Sequence, residues 1–314
     1  MYNPKKENSP LLSVCVLTYN HAAFIEHCLD SVLSQNCSFS FEIVVTDNCS
    51  TDGTQNILKR YKDRHPDVFQ LFLEDPPISF TENIRLYFSR TRGKYIAILD
   101  GDDYWCYQEK LEAQIAFLEK NDDFIGCFHD EEIMVHQNDF PIKYKHQSKC
   151  LYKSYSQMHK YKPIVYPNDI IQRLIVPTSS LVFRKTKENE IYSLKEELDF
   201  DLSADWWGIL GLVKNSKLKY FNEIWGVYRD HASGITKNVP FIKFHETNIQ
   251  ILFSLVNDEF YSKYRAEIYT QIAVETRIIL LSMSDNKSGF RLHAVKYLYY
   301  SVLQGFYGLI RFWS

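Results

Sequence analysis

The sequence predicts an α/β fold in which a mostly parallel sheet is flanked by helices and followed by a helical C-terminal extension. Three observations carry this. Apolar, β-branched runs at residues 11–19, 41–46, 68–73 and 94–99 lack polar–apolar alternation, as strands covered on both faces do. The stretches between them place apolar residues at helical spacing, and strand–helix alternation at such short intervals builds a sheet with helices on both sides. Beyond Pro240 the periodicity is helical to the end of the chain.

In order, the first strand closes at Thr18-Tyr19-Asn20, and a helix follows on Phe24, Ile25, Leu29, Val32 and Leu33. The second ends at Asp47, where Ser50-Thr51-Asp52-Gly53 turns the chain into a helix carrying Ile57, Leu58 and Tyr61. A third strand over 68–73 precedes a helix over 81–90, and the fourth, 94–99, runs straight into Asp100-Gly101-Asp102-Asp103. A strand at 124–128 ends at His129 and Asp130; residues 137–169 then lose all periodicity and read as a surface excursion. Residues 178–184 resume a strand, 204–214 form a short helix, and 218–221 and 224–229 read as two separate extended pieces. Ligands of such sheets bind beyond the carboxyl ends of the strands, so Thr18-Tyr19-Asn20, Asp47 and the acidic run at 100–103 converge on one rim.

Composition narrows the function. At 314 residues, with 45% apolar and 24% charged residues, the chain has ordinary globular balance and exceeds the usual size of one domain. A net charge of -3 gives no electrostatic case for a nucleic-acid partner. The cysteines, Cys15, Cys28, Cys37, Cys49, Cys106, Cys127 and Cys150, include no C-x-x-C pair, so no zinc site is expected and a reducing cytoplasm is the simplest location. Residues 1–10 are polar, without the apolar core of a signal peptide, and no run of about 18 apolar residues predicts a spanning helix. Neither G-x-x-x-x-G-K-[ST] nor G-x-G-x-x-G occurs after the first strand, which disfavours P-loop and dinucleotide enzymes.

The acidic run is the sharpest chemical feature. Three carboxylates in four residues repel one another if buried without a cation, and a hard divalent ion, Mg²⁺ or Mn²⁺, resolves this with oxygen ligands. Gly101 permits a tight turn and close approach of a phosphate. The alternative is a solvated acidic turn. Asp47 suits a hydrogen bond to a nucleobase edge, with ordinary turn chemistry as its alternative.

Taken together, residues 11–20, Glu42-Ile43-Val44-Val45 to Asp47, Ser50-Thr51-Asp52-Gly53-Thr54, and the run from Arg92 to Trp105 resemble the family 2 inverting glycosyltransferases of the GT-A fold. Lys110-Leu111, Gln114 and Phe117-Leu118-Glu119 continue the likeness, which returns over 177–234. It implies a nucleotide-diphospho-sugar transferase with a GT-A catalytic domain over 1–236, its donor half about 11–130 and its acceptor half 131–236, and a helical extension over 237–314. Thr18, Tyr19, Asn20, Asp47 and Asn83 would line the nucleotide-sugar pocket. Asp100 would reach the ribose or base side, Gly101 would let a phosphate approach closely, and Asp102 would ligate the metal on the diphosphate as part of the D-x-D signature.

The resemblance also points to Asp205, in Ala204-Asp205-Trp206-Trp207, as the base that takes the acceptor proton, though Ala204 stands where the family often has Glu. Asp199 and Asp201 are nearby rivals, and a helix N-cap between core tryptophans is the structural alternative. In Tyr228-Arg229-Asp230-His231, the equivalent histidine of some relatives completes the metal site or touches the diphosphate, a structural role being the alternative for His231; Arg229 could neutralise phosphate or pair with Asp230. The expected partners are a nucleoside-diphosphate sugar, UDP being the family's usual choice, and a glycan or lipid-linked sugar acceptor in cell-surface polysaccharide assembly.

Residues 287–314 carry Lys287, Arg291, Lys296 and Arg311 among many aromatics, with no acidic residue. They suit peripheral contact with the cytoplasmic face of a membrane, or packing on the protein itself. The rival function from another class is a non-catalytic sugar-nucleotide or glycan-binding protein. A nucleotidyltransferase would need a glycine-rich basic loop after the first strand, and a glycoside hydrolase needs no nucleotide pocket.

Overall fold

The computed structural model describes residues 9–79, 82, 83, 86, 89–135, 162–172, 176–186, 203–234, 239–282 and 300. Residues 137–161, Asp199, Asp201 and most of 287–314 lie outside this set, as does part of the helix expected over 81–90. The chain divides into two compact units. The first comprises Met1–Val165, Val176–Leu194 and Lys217–Ala232; the second gathers Tyr166–Ile175, Lys195–Ser216 and Ser233–Ser314.

The first unit holds a nine-stranded mixed sheet. Its strands are β1 Leu12–Thr18, β2 Phe41–Asp47, β3 Phe69–Leu73, β4 Tyr95–Asp100, β5 Tyr104–Trp105, β6 Gly126–Val135, β7 Ile164–Val165, β8 Val182–Arg184 and β9 Leu218–Asp230, in the order β3-β2-β1-β4-β8-β6-β9-β5, with β7 also on β9. From β3 to β4 every pairing is parallel, with α1 Ile25–Leu33 and α2 Thr54–Arg64 as crossovers. All seven residues of β1 are buried, which is why its sequence is a continuous apolar run. Leu12, Val14 and Val16 share a core with Ile43, Val45, Tyr95, Ala97 and Leu99, closed by Ile25, Leu29 and Val32 of α1 and by Leu111, Ile115 and Leu118 of α3 Lys110–Lys120. Ser13 and Glu42 are the polar intrusions, and each is satisfied: Ser13 Oγ donates to Glu42 at 2.6 Å, and Glu42 also accepts from Arg92 Nε at 2.8 Å.

Beyond β4 the sheet departs from the expected pattern. Strand β8 is antiparallel to both neighbours and is preceded by a 3-10 turn, Thr178–Ser180, where the sequence reads as strand throughout. Strand β6 does not stop at 128 but runs to Val135, so His129 and Asp130 lie within it. The two expected pieces at 218–221 and 224–229 are one 13-residue strand, β9, whose register against β6 shifts around Asp130. An irregularity of that kind disrupts apolar alternation without ending the strand, so periodicity alone splits it.

The second unit is helical. It contains α4 Pro167–Ile171, α5 Ala204–Val213, α6 Phe241–Val256 and α7 Arg265–Ser282. Trp206 Nε1 donates to the Ile170 carbonyl at 2.7 Å and Tyr261 Oη to that of Leu210 at 2.6 Å, tying α5 to its neighbours at both ends. The Tyr300 ring meets Phe253 edge-on at 5.2 Å, so this aromatic of the terminal segment packs on α6. Among the described residues no helix is long and apolar enough to cross a membrane.

Candidate active site

Parallel register sets the site. Thr18, the last residue of β1, pairs with Asp47, the last of β2, and Leu17 pairs with Asp100, the last of β4. Three chain reversals therefore open on one edge. The turn after β1 requires a left-handed residue, supplied by Asn20 at φ 56°. Its backbone N–H donates to Ser50 Oγ at 2.7 Å and its side-chain oxygen accepts from the Thr51 N–H at 2.9 Å, joining the first two reversals. Thr18 and Asp47 are fully buried, whereas Tyr19 is about half exposed.

The Asp47 carboxylate holds its own turn. One oxygen accepts from the Ser50 N–H at 2.9 Å and Gln55 Nε2 at 2.8 Å, the other from the Ser50 hydroxyl. Asn48 fastens the next loop through Ile78, donating to its carbonyl at 3.0 Å and accepting its N–H at 2.9 Å. Asn83 is buried, and its side-chain oxygen meets no hydrogen-bond partner among the described residues.

The acidic turn after β4 divides its three carboxylates among three environments. Asp100 stays partly exposed. Asp103 is buried, accepts the Arg229 N–H at 2.8 Å, and is pushed well above the usual carboxylate range by burial and then by Asp102, Asp100 and Glu131. Asp102 faces two histidines: His231 Nε2 lies 3.0 Å and His21 Nε2 3.5 Å from the same oxygen. Burial raises the Asp102 carboxyl, but the His231 hydrogen bond and the nearby His21 charge outweigh it and hold the group below its ordinary value. His21 is lowered, chiefly by burial, against the pull of Asp102.

Gly101 is where these groups crowd together. A Cβ there would stand 2.9 Å from both His21 Nδ1 and Thr18 Cβ and 3.0 Å from the Leu17 carbonyl, to which the Gly101 N–H donates at 2.8 Å. Backbone cannot yield cheaply. Gly101→Ala is expected to lower stability by about 1–3 kcal/mol, the usual scale of overpacking. A urea titration reads this as a lower midpoint at unchanged slope; an unmoved midpoint would mean that the turn relaxes freely.

Arg229 lies behind the acidic turn. Its guanidinium donates to the Asp102 carbonyl and, at 2.6 Å, to His27 Nδ1, lying 4.4 Å from the Tyr104 ring centre and 5.4 Å from that of Phe24. It braces the acidic turn from behind. His21 is the residue that sequence reasoning passed over. It follows Thr18-Tyr19-Asn20 directly, but nothing in that segment signals that its ring turns toward Asp102. Glu131 was passed over as well: buried on β6, it accepts from Ser179 Oγ at 2.7 Å, and burial lifts it to about 7.

Asp205 lies in the first turn of α5, in the second unit, half-buried, and accepts the Trp206 N–H at 2.8 Å. Burial raises its carboxyl, opposed by that N–H and by its own. Among the described residues no group of three or more His, Cys, Asp or Glu side chains is arranged to hold a metal ion.

A mixed sheet of this order, flanked by helices, is similar to those of GT-A glycosyltransferase structures. TarS of S. aureus, in complex with UDP-GlcNAc, matches with a TM-score of 0.59 at 20% identity, over 83% of this chain and 71% of that one. The mannosyltransferase PcManGT of Pyrobaculum calidifontis, in complex with GDP-Man and Mn²⁺, gives 0.54 at 16% identity over 96% and 84%. The family model for glycosyl transferase family 2 matches residues 13–174, just over half of the chain, which therefore belongs to that family. The Bacillus subtilis putative teichuronic acid biosynthesis glycosyltransferase TuaG is 37% identical over 110 residues, 35% of this chain and 42% of TuaG. The chain spans 60% of the length of the mycobacterial relatives that it matches.

Proposed function

We propose that this glycosyltransferase moves a sugar from a nucleoside diphosphate, UDP first among the candidates, to an acceptor hydroxyl with inversion, in the assembly of a bacterial-type cell-surface polysaccharide. One observation carries the reading most: Thr18, Asp47 and Asp100-Gly101-Asp102 share one edge, and two imidazoles converge on Asp102 there. Thr18, Tyr19 and Asp47 are assigned to the nucleoside, Asp100 to its ribose or base side, and Asn20, Asn83 and Gly101 to the rest of the nucleotide-sugar pocket. Asp47 keeps lone-pair capacity for a base edge, since a carboxylate offers about four acceptor positions and three are used. The TuaG likeness favours the polysaccharide context.

A divalent cation fits the residues at this edge. Asp102 supplies oxygen and His231 nitrogen, a mixture that suits Mn²⁺ and is tolerated by Mg²⁺. The buried, unpartnered Thr18 Oγ1 and His21 Nδ1 lie beside Gly101, as expected where a polar ligand completes the surroundings. Asp102 and His231 would hold the ion, with diphosphate oxygens filling the remaining positions; when bound, it neutralises charge on the departing diphosphate. Asp205 accepts the proton of the acceptor hydroxyl, that oxygen attacks the anomeric carbon, and the bond to the diphosphate breaks on the opposite side. A single in-line displacement inverts the anomeric centre. An acceptor carried on a lipid at the cytoplasmic membrane face would suit the basic, aromatic segment 287–314.

The test is calorimetric titration of the wild type with UDP, GDP, CDP and dTDP, with and without Mn²⁺. Binding of one nucleotide that needs the metal is the expected result and names the donor class. No binding of any nucleotide would bring forward the non-catalytic, glycan-binding alternative.

A further inference from the structure

We propose that Glu275, Asn248 and Ser203 form a buried positioning relay that sets the first turn of α5 and, through it, the carboxyl of Asp205. The inference rests on the reading of Asp205 as the base. It starts from a serine that does not behave as its position dictates. Ser203 is the N-cap of α5, where a hydroxyl ordinarily accepts a hydrogen bond from an N–H of the helix's first turn. Here it makes no such cap. The hydroxyl turns away and donates to Asn248 Oδ1 on α6 at 2.7 Å.

The chain continues from there. Asn248 Nδ2 stands 3.4 Å from Glu275 Oε2 on α7, and that oxygen also meets His245 Nδ1 at 2.6 Å. The second carboxylate oxygen accepts from Gln271 Nε2 at 2.9 Å. His245 is fixed in turn by the rings of Phe241 and Phe244, at 4.5 and 5.3 Å. Ser203, Asn248 and Glu275 are all buried.

The relay has a direction. The Glu275 carboxylate only accepts, so Asn248 must present its amide NH₂ to it and its carbonyl oxygen to Ser203, which must then donate. A serine committed as donor on one side is held in a single rotamer, and its backbone opens α5: the Ser203 carbonyl accepts the Trp207 N–H at 3.1 Å. The next two residues are Ala204 and Asp205. An apolar trio would hold α5 against α6 and α7 at least as firmly, because buried polar groups gain little net stability. What the polar chain adds is orientation of the helix's first turn.

The experiment compares Ser203→Ala, Ser203→Thr, Asn248→Leu, Asp205→Asn and the double variant Asn248→Leu/Asp205→Asn. Two quantities are read: UDP release from UDP-GlcNAc or a related UDP-sugar with Mn²⁺, as kcat and KM, and hydrogen exchange of the peptide covering 203–210. Ser203→Ala and Asn248→Leu are expected to lose roughly ten- to a hundredfold in kcat, the scale on which small misplacements act, with KM changed by less than about twofold. Exchange should quicken at 204–207, Ser203→Thr should recover most of the kcat, and the double variant should lose no more than Asp205→Asn alone. Losses that multiply in the double variant, or kcat within about twofold of wild type in both single variants, would overturn the relay. Near-normal turnover in Asp205→Asn would remove the base assignment by itself. The relay would then stand or fall on exchange, and an unchanged rate at 204–207 in Asn248→Leu would end it.

Discussion

Replacing Asp205 by Asn is expected to lower turnover by about 10²–10⁴-fold, the usual worth of a positioned general base, while nucleotide binding stays unchanged. The substitution is close to isosteric, and the Asn side-chain oxygen can still accept the Trp206 N–H that Asp205 accepts at 2.8 Å. Folding should survive, which near-ultraviolet circular dichroism checks. The pH dependence gives a second readout. Burial raises the Asp205 carboxyl above its ordinary value. Because the base works only when deprotonated, activity is lost as pH falls through that raised pKa. The acid limb of the rate profile should therefore lie at higher pH than an ordinary aspartate would give, and the residual activity of Asp205→Asn should lack it. Near-normal turnover in Asp205→Asn would sink the assignment.

The second large effect is expected from Asp102→Ala. It deletes the oxygen on which His231, at 3.0 Å, and His21, at 3.5 Å, converge. Loss of a neighbour that merely orients a metal ligand costs 10–100-fold in metal affinity, so loss of a proposed ligand should cost at least about 100-fold. Calorimetry with Mn²⁺ and the nucleoside diphosphate that the wild type binds would report it. Asp103→Asn is the contrast. That side chain is buried and serves the Arg229 backbone, so its loss should be felt in stability more than in metal affinity. Undiminished metal-dependent nucleotide binding in Asp102→Ala would overturn the metal reading, as would full activity in excess chelator.

Much of this was legible from residue order. The buried parallel strands β1, β2 and β4 announce themselves as apolar runs, and their register follows once the crossovers are helical, so the meeting of Thr18, Asp47 and Asp100 was foreseeable. The partners drawn in from far along the chain were not. His21 and Arg229 both reach Asp102 from distant parts of the chain, and their orientation depends on a left-handed turn at Asn20 and on the pairing of β5 with β9. Strands of two or three residues, such as β5, β7 and β8, are too short to show a period. The bulged register between β6 and β9 hid one strand as two. Ser203 departs from local preference for a different reason: a serine before a helix favours a cap, and tertiary hydrogen bonding overrides it here.

Strand β9 has a consequence for how such proteins diversify. Strand β6 ends at Val135, opposite Asp230, and β7 re-enters with Ile164 opposite Lys219, so the excursion between them is fastened at both ends to one beam. The same beam holds β5 behind the acidic turn and leads directly into His231. Inserts of different length and composition can therefore be exchanged between β6 and β7 without re-registering β5 or the end of β9 beside His231. On the proposed function, such a scaffold would let acceptor preference change while the nucleotide edge stays fixed.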